Sequence, residues 1–402
     1  MRTDTLGDVA GRASSYSDRI CPPRETLARL RPHFPALGIT RLARQTGLDV
    51  VGVPCFSAIR PNAKTLAASQ GKGIDDATAM VSAVMEAAEM AIAERLVPAD
   101  WTGPARALEE MGAAWFNPWR MLPFGETFDL DRAVSWVAGR GLMSGRPVLV
   151  PRDAIRFDGE APDLPGIALS TNGLASGNTR TEAEFHALCE LIERDATALW
   201  SLLPPARQKS RAVAASSFEE ATVDDLAGRV RRAGLRLQLF DLTSDIGVPT
   251  VMAMVGPEVS RSYFDVAAGT GTHPVPARAA LRAITEAAQS RITAIAGSRD
   301  DIATADYEHG PDDLVADLLV AHAQAPPPRG LPPGGSLGSA MAFLTGGLAS
   351  AGIGEPVAVA LGGDSFDISV VRALSDVLED REANANWRPG PRAIAVLLDE
   401  AA

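Results

Sequence analysis

The sequence predicts a mixed α/β protein, and three observations carry that reading. Short β-branched runs alternate with Ala-rich stretches of helical length. A hydrophobic fraction of 46% against 22% charged residues supplies material for a substantial core. Three glycine-rich stretches each lead into a helix that carries acidic side chains.

Taken in order, the polar segment 1–18 is expected to be a flexible N-terminus. Pro22 and Pro23 open a short amphipathic helix over 24–31. The Val-rich stretch 49–58 reads as a strand, and strand-like runs recur at 147–150, 235–242, 248–255, 263–267, 357–361 and 393–398. The prolines and glycines of 325–335 fit neither a helix interior nor a central strand, so this stretch reads as a connector, with a lid as the other use.

Composition also narrows the function classes. No apolar run reaches the roughly 18 residues of a membrane span, and the first residues have no signal-peptide core, so a cytoplasmic protein without membrane contact is expected. Cys21, Cys55 and Cys189 form no C-x-x-C pair and read as reduced, buried thiols. A net charge of −12 argues against a broad nucleic-acid surface and suits a protein that gathers metal cations.

The most informative feature is an internal near-repeat. Gly71-Lys72-Gly73 reads as a turn before a helix with Ser82-x-x-x-Glu86-x-x-Glu89. Ser176-Gly177-Asn178-Thr179 reads as a second turn before Glu190-x-x-Glu193-Arg194, and the spacing from Gly73 to Glu86 equals that from Gly177 to Glu190. Gly269-Thr270-Gly271-Thr272-His273-Pro274 precedes a third helix, with Glu286-x-x-Gln289 and then Arg291.

Positions three and four apart share a helix face, so each helix presents a polar stripe. The remaining faces of the first two are strongly apolar, which predicts burial. Buried carboxylates must be paired, protonated or metal-bound. One E-x-x-E on an Ala-rich helix is more often a solvated face; three behind glycine stretches leave a solvated face and a shared site evenly balanced on pattern alone. Carboxylates without His or Cys suit a hard cation, and Mg²⁺ takes one or two of them together with phosphate oxygens. Helix N-termini behind glycines favour an anion, and Lys72, Arg194 and Arg291 offset its charge. The chain has neither G-x-x-x-x-G-K-[ST] nor a dinucleotide G-x-G-x-x-G, so no P-loop is expected. His273 reads as a turn residue before Pro274 rather than a base, and Cys189 as core.

At these residues the chain resembles the YcaO family, over roughly residues 19–301. The resemblance lies in Leu37-Gly38-Ile39-Thr40-Arg41, Thr46-Gly47-Leu48-Asp49, Arg60-Pro61 and Ser69-Gln70-Gly71-Lys72-Gly73, and in segments 82–89, 173–195, 285–291 and 297–301. It implies a YcaO-type fold over 19–402, with mixed sheets and helices around a central ATP and Mg²⁺ site. By residue, it implies that Glu86, Glu89, Glu190 and Glu193 bind metal. It implies that Ser82, Asn178, Glu182, Arg194 and Arg291 bind ATP, with Lys72 beside them. Arg19 and Thr26 have the spacing of a nucleotide-touching Lys and Ser in relatives. Ala175 stands where some relatives have a nucleotide-contacting serine, so that hydrogen bond is either lost or taken over by Ser176. Glu286 and Gln289 complete the candidate set, and no general base is assigned.

The implied activity is ATP-dependent O-phosphorylation of a backbone amide in a ribosomally made precursor peptide or protein. The end at Leu398-Asp399-Glu400-Ala401-Ala402 lacks the proline-rich tail of azoline-forming relatives. The 241–249 run and the N-terminal segments look like members working beside a TfuA partner. A thioamide product with a TfuA-like protein and a sulfur donor is therefore the preferred expectation, with a homodimer as the assembly to test. An azoline-forming cyclodehydratase and a nucleotide-binding scaffold without catalysis are the alternatives. A Pro-Gly-Leu-Glu-like turn of relatives is replaced here by 374–379.

Overall fold

The computed structural model describes residues 19–400 apart from 261, 298–306, 308, 311 and 383. The expected N-terminal tail and residues 298–301 of the last family-like segment lie outside the described residues. The first elements are α1 (Pro23–Leu30), β1 (Arg41–Arg44), β2 (Cys55–Ile59), β3 (Ala68–Lys72) and α2 (Asp76–Ala93). Then come β4 (Trp101–Pro104), α3 (Ala105–Glu110), β5 (Ala133–Gly141), β6 (Pro147–Pro151), β7 (Leu174–Gly177) and α4 (Arg180–Ser201). The third stretch holds α5 (Pro205–Ser210), β8 (Ala212–Val213), α6 (Ala221–Arg232), β9 (Arg236–Asp241), β10 (Thr250–Gly256), β11 (Ala267–Thr272) and α7 (Pro276–Ala296). The last comprises α8 (Asp313–Leu319), α9 (Leu337–Ser350), β12 (Val357–Gly362), β13 (Ser369–Leu374) and α10 (Pro391–Asp399).

Among the described residues the strands form three sheets, ordered β1-β2-β3, β4-β5-β12-β13-β7 with β6 beside β5, and β11-β10-β9-β8. The strands β3, β7 and β11 are each an edge of a different sheet, and each leads into one of the three long helices. The helix folds back on its own strand. It also packs on the edge strand of another unit: α2 on β7, α4 on β11 and α7 on β3. The three strand–helix units thereby close a ring, and what faces its middle comes from all three.

Glycine makes the close strand–helix crossings possible. A Cβ on Gly71 would sit 2.0 Å from the Ala83 amide nitrogen, on Gly177 2.6 Å from that of Ala183, and on Gly269 2.2 Å from that of Ala287. The expected glycine turns are therefore largely strands: 71–72, 176–177 and 269–272 lie in β3, β7 and β11. Capping follows at once. Asp75 accepts a hydrogen bond from Thr78 N at 2.7 Å, Thr179 from Glu182 N at 3.2 Å, and α7 opens on Pro276. Ala79, Ala83, Ala87 and Ala88 of α2 are fully buried, so small side chains continue the close approach along the helix.

Other expectations are corrected. The 49–58 strand shrinks to β2 because Asp49 Oδ1 accepts from Gly52 N at 3.3 Å and Gly52 has φ +73°, which turns the chain. Residues 263–265 form a 3₁₀ turn closed by a Ser262/Asp265 capping box, and the strand starts at Ala267. The 393–398 run is helical, not extended: Pro391 starts α10, and the buried Glu379 carboxylate accepts from Ala393 N at 3.2 Å. The proline-rich stretch packs on the β11–α7 connection, where Leu331 N donates to Pro274 O at 2.8 Å. No helix among the described residues is long and apolar enough to cross a membrane.

Candidate functional site

The ring encloses a cavity of about 730 Å³. Ser82, Glu86 and Glu89 reach it from α2, Glu190, Glu193 and Arg194 from α4, and Glu286 and Gln289 from α7. The stripes converge because each is the inward face of a helix whose opposite faces are packed on sheets. Side chains of the edge strands meet them. Lys72 Nζ lies 2.8 Å from Glu286 Oε2, and Thr270 Oγ1 donates to Glu193 Oε1 at 2.9 Å. The Ser176 hydroxyl, from β7, donates to Met85 O of α2 at 3.4 Å.

Burial dominates the electrostatics, and the crowding of carboxylates adds to it. Burial, then Glu190 and Glu86, push Glu89 well above the ordinary carboxylate range. Burial is also the main reason Glu190 rises to about 7, with Arg194 opposing and Glu193 reinforcing. Glu193 is raised by burial and then by Glu286. Burial alone would lower Lys72, but Glu286, Glu193 and Glu86 outweigh it and raise its pKa. Arg194 is shared between Glu382 at 3.0 Å and Glu190 at 4.0 Å.

A second set surrounds Asn178. Its Oδ1 accepts from Thr26 Oγ1 at 2.7 Å, and its Nδ2 donates to Glu182 at 3.1 Å. Arg19 Nη1 donates to both Glu182 Oε1 and Ser176 O at 2.8 Å. Arg19, Thr26, Asn178 and Ser176 line the cavity, while Glu182 is fully buried beneath them as their anchor. Arg291 is not in the lining. It donates to Asp265 O at 3.2 Å and approaches Asp49 at 3.8 Å. Five positions past Glu286 turn it roughly 140° away from the inward stripe. His273 is buried and its Nδ1 accepts from Val275 N at 2.9 Å, a turn residue as expected. All three cysteines are buried, and Cys21 borders the cavity.

The sequence reading missed His186, Arg278, Arg282 and Thr270, all of which line the cavity. The first three were visible in principle, since they extend the same helical stripes toward their N-termini. It also missed Arg372 of β13, which is 2% exposed and brought down to about 10 by burial, against the fields of Glu190, Asp380 and Glu89. No local pattern marks that residue.

Among the described residues no three His, Cys, Asp or Glu side chains are gathered tightly enough to hold a metal by themselves. That is compatible with magnesium, which needs only one or two carboxylates when phosphate oxygens and water complete its octahedron. Half-buried Glu89, Glu190 and Glu193, all with raised pKa values, are donors that such an ion would stabilise, and the more exposed Glu86 stands beside them.

The family model described as YcaO cyclodehydratase, ATP- and Mg²⁺-binding, matches residues 70–378. An uncharacterized protein in the tfuA 3′ region of Rhizobium leguminosarum bv. trifolii is 44% identical over 301 residues, covering 73% of this chain and 71% of the relative. YcaO from Methanopyrus kandleri, bound with AMPPCP and Mg²⁺, has a similar structure, with TM-score 0.73, 24% identity and coverage of 97% and 99%. A heterocyclase in complex with substrate and cofactor aligns with TM-score 0.75 and 20% identity over 94% of this chain, which spans 54% of that protein.

Proposed function

The chain belongs to the YcaO family, and from that premise we propose that it uses ATP and Mg²⁺ to activate a peptide-backbone amide and convert it to a thioamide. The observation that carries the activation step is the convergence of Glu86, Glu89, Glu190, Glu193 and Glu286 from three helices into one cavity. Glu86 with Glu89, and Glu190 with Glu193, would hold magnesium. When bound, the metal neutralises charge on the triphosphate and polarises its phosphorus–oxygen bonds.

The chain's own side chains divide the remaining work. Lys72 and Arg194 face the phosphates, and Ser82, Ser176, Asn178, Arg19 and Thr26 face the rest of the nucleotide. Glu182 holds Arg19 and Asn178 in place. Donors and cations held in place by the fold stabilise the charge that develops during phosphoryl transfer without reorganising. The amide oxygen is a poor leaving group until it is phosphorylated. Sulfide adds to the amide carbon, and the resulting oxyanion attacks the terminal phosphorus. ADP leaves with the electrons of the broken P–O bond. Loss of phosphate and the proton on sulfur then leaves C=S.

The thioamide outcome draws its support from the relative in the tfuA 3′ region, and a TfuA-like protein and a sulfur donor are the partners in this reading. Azoline formation is the second outcome, favoured by the likeness to a heterocyclase. Phosphate release from ATP, measured with and without Mg²⁺ and candidate peptide for the native chain and Glu86→Gln/Glu193→Gln, tests the activation step. Peptide mass tests the product: a thioamide gains the difference between sulfur and oxygen, whereas an azoline loses water. Nucleotide binding without peptide-stimulated turnover would leave a scaffold.

A further inference from the structure

The three inward stripes share one register beyond their carboxylates. Four residues before the first carboxylate stand Ser82 on α2, His186 on α4 and Arg282 on α7, one turn toward each N-terminus from Glu86, Glu190 and Glu286. All three line the cavity, and Arg278 extends the α7 stripe by another turn. The acidic end of the cavity therefore passes, within one helical turn, into a layer that contains a hydroxyl, an imidazole and guanidinium groups.

Two members of this layer are joined. Arg282 Nη2 lies 2.8 Å from His186 Nδ1. A guanidinium can only donate, so Nδ1 accepts, and a neutral imidazole then carries its proton on Nε2. Burial first, then the charges of Arg19 and Arg282, hold His186 well below the ordinary histidine range, so the ring is neutral near pH 7. The side chain is 9% exposed. Its Nε2 is buried and has no hydrogen-bond partner among the described residues. Buried donors are paired as a rule. An orphaned N–H on a cavity-lining ring, polarised by a guanidinium at the opposite nitrogen, is set to meet an acceptor from a ligand.

Charge selects the kind of acceptor. The glutamate end attracts cations, whereas this layer presents N–H donors on positively charged and polarised groups. A phosphate presents anionic acceptor oxygens on several sides and forms strong charge-assisted bonds to such groups. We infer that His186, Arg282 and Arg278 form a phosphate-oxyanion subsite, one turn from the glutamate layer. It is filled by a phosphate of the bound nucleotide or by the inorganic phosphate that the reaction releases. The inference rests on the magnesium–nucleotide reading above.

Calorimetric titration of the full chain in Mg²⁺ separates these cases, with ATP, ADP, inorganic phosphate alone, and inorganic phosphate in the presence of ADP as probes. His186→Phe removes the donor, His186→Gln keeps an N–H, and Arg282→Met removes the polarising charge. The expected result is a loss of roughly tenfold in affinity for at least one probe in His186→Phe, the scale of one hydrogen bond, with partial recovery in His186→Gln. A loss confined to ATP assigns the subsite to the terminal nucleotide phosphate, a loss shared by ATP and ADP assigns it to an inner one, and a loss confined to added phosphate assigns it to the product. Unaltered affinity for every probe in folded His186→Phe and Arg282→Met overturns the inference. A native chain that binds phosphate but no nucleotide sinks the ATP reading alone; one that binds neither sinks both.

Discussion

Lys72 on β3 and Glu286 on α7 are 214 positions apart in the chain and meet at 2.8 Å. Thr270 on β11 and Glu193 on α4 make the corresponding contact on another side of the ring, at 2.9 Å. In each case a carboxylate on one helix is met by a side chain from the edge strand of another unit. The same pairs that shape the cavity therefore also tie the three units together.

Replacing Lys72 by Met leaves Glu286 in a partly buried carboxylate cluster without its ammonium partner. A destabilisation of about 1–2 kcal/mol is expected, on the scale of an unsatisfied charged group that keeps some solvent contact. Urea unfolding reads it. Magnesium added with ATP should narrow the gap to the native chain, and a gap unaffected by the ligand would separate Lys72 from the site.

Stability without ligand should fall with rising pH. Glu190 is raised from 4.5 to about 7 in the fold, so its proton is bound more tightly by the native than by the unfolded chain. The stabilisation is complete below pH 4.5 and is lost as pH rises through about 7. With 27% of the side chain exposed, the loss for this one group is about 2 kcal/mol, somewhat less than the full shift implies. Glu89 and Glu193 act in the same direction. Thermal midpoints between pH 5 and 8 should decline less in Glu190→Gln, and less again in the native chain with saturating Mg²⁺ and ATP.

Gly71→Ala should be among the most damaging single-methyl changes in the protein, because its Cβ would lie 2.0 Å from a backbone nitrogen of α2. Neither element can yield without disturbing the cavity wall, so a loss of roughly 3 kcal/mol or more is expected. Gly310→Ala, with no atom of the described residues within 4 Å of the added methyl, is the control and should unfold like the native chain.

Arg392 on α10 binds the fully buried Asp195, which follows Arg194 on α4, with Nε–Oδ1 at 2.8 Å. Removing the guanidinium strands a buried carboxylate, so Arg392→Met should cost about 3–5 kcal/mol. Adding Asp195→Asn should return part of that loss in a double-mutant cycle. Additive effects would mean that the two side chains stabilise the fold independently.

Much of the candidate site was legible because helical periodicity is local. Ser82, Glu86 and Glu89 declare one face by spacing alone, and their Ala-rich neighbours declare that the helix is buried. The same locality explains the misreadings. Ile394, Val396, Leu397 and Leu398 suit a strand by composition, yet Pro391 and the carboxylate of Glu379 start a helix there. Arg291 shares a helix with Glu286 but leaves its face, and only the packing of α7 shows which face turns inward.

The sequence by itself determined the mixed α/β class, the long helices and the carboxylate stripes, since each depends on residues within a few turns of one another. Tertiary structure alone decided that the stripes share one cavity, that glycines lie in edge strands where helices cross closely, and that Lys72 meets Glu286 and Arg282 meets His186 there. Those relations join residues far apart in the chain. Their physical basis is the burial of three apolar helix faces against three different sheets, which leaves the polar stripes facing one another.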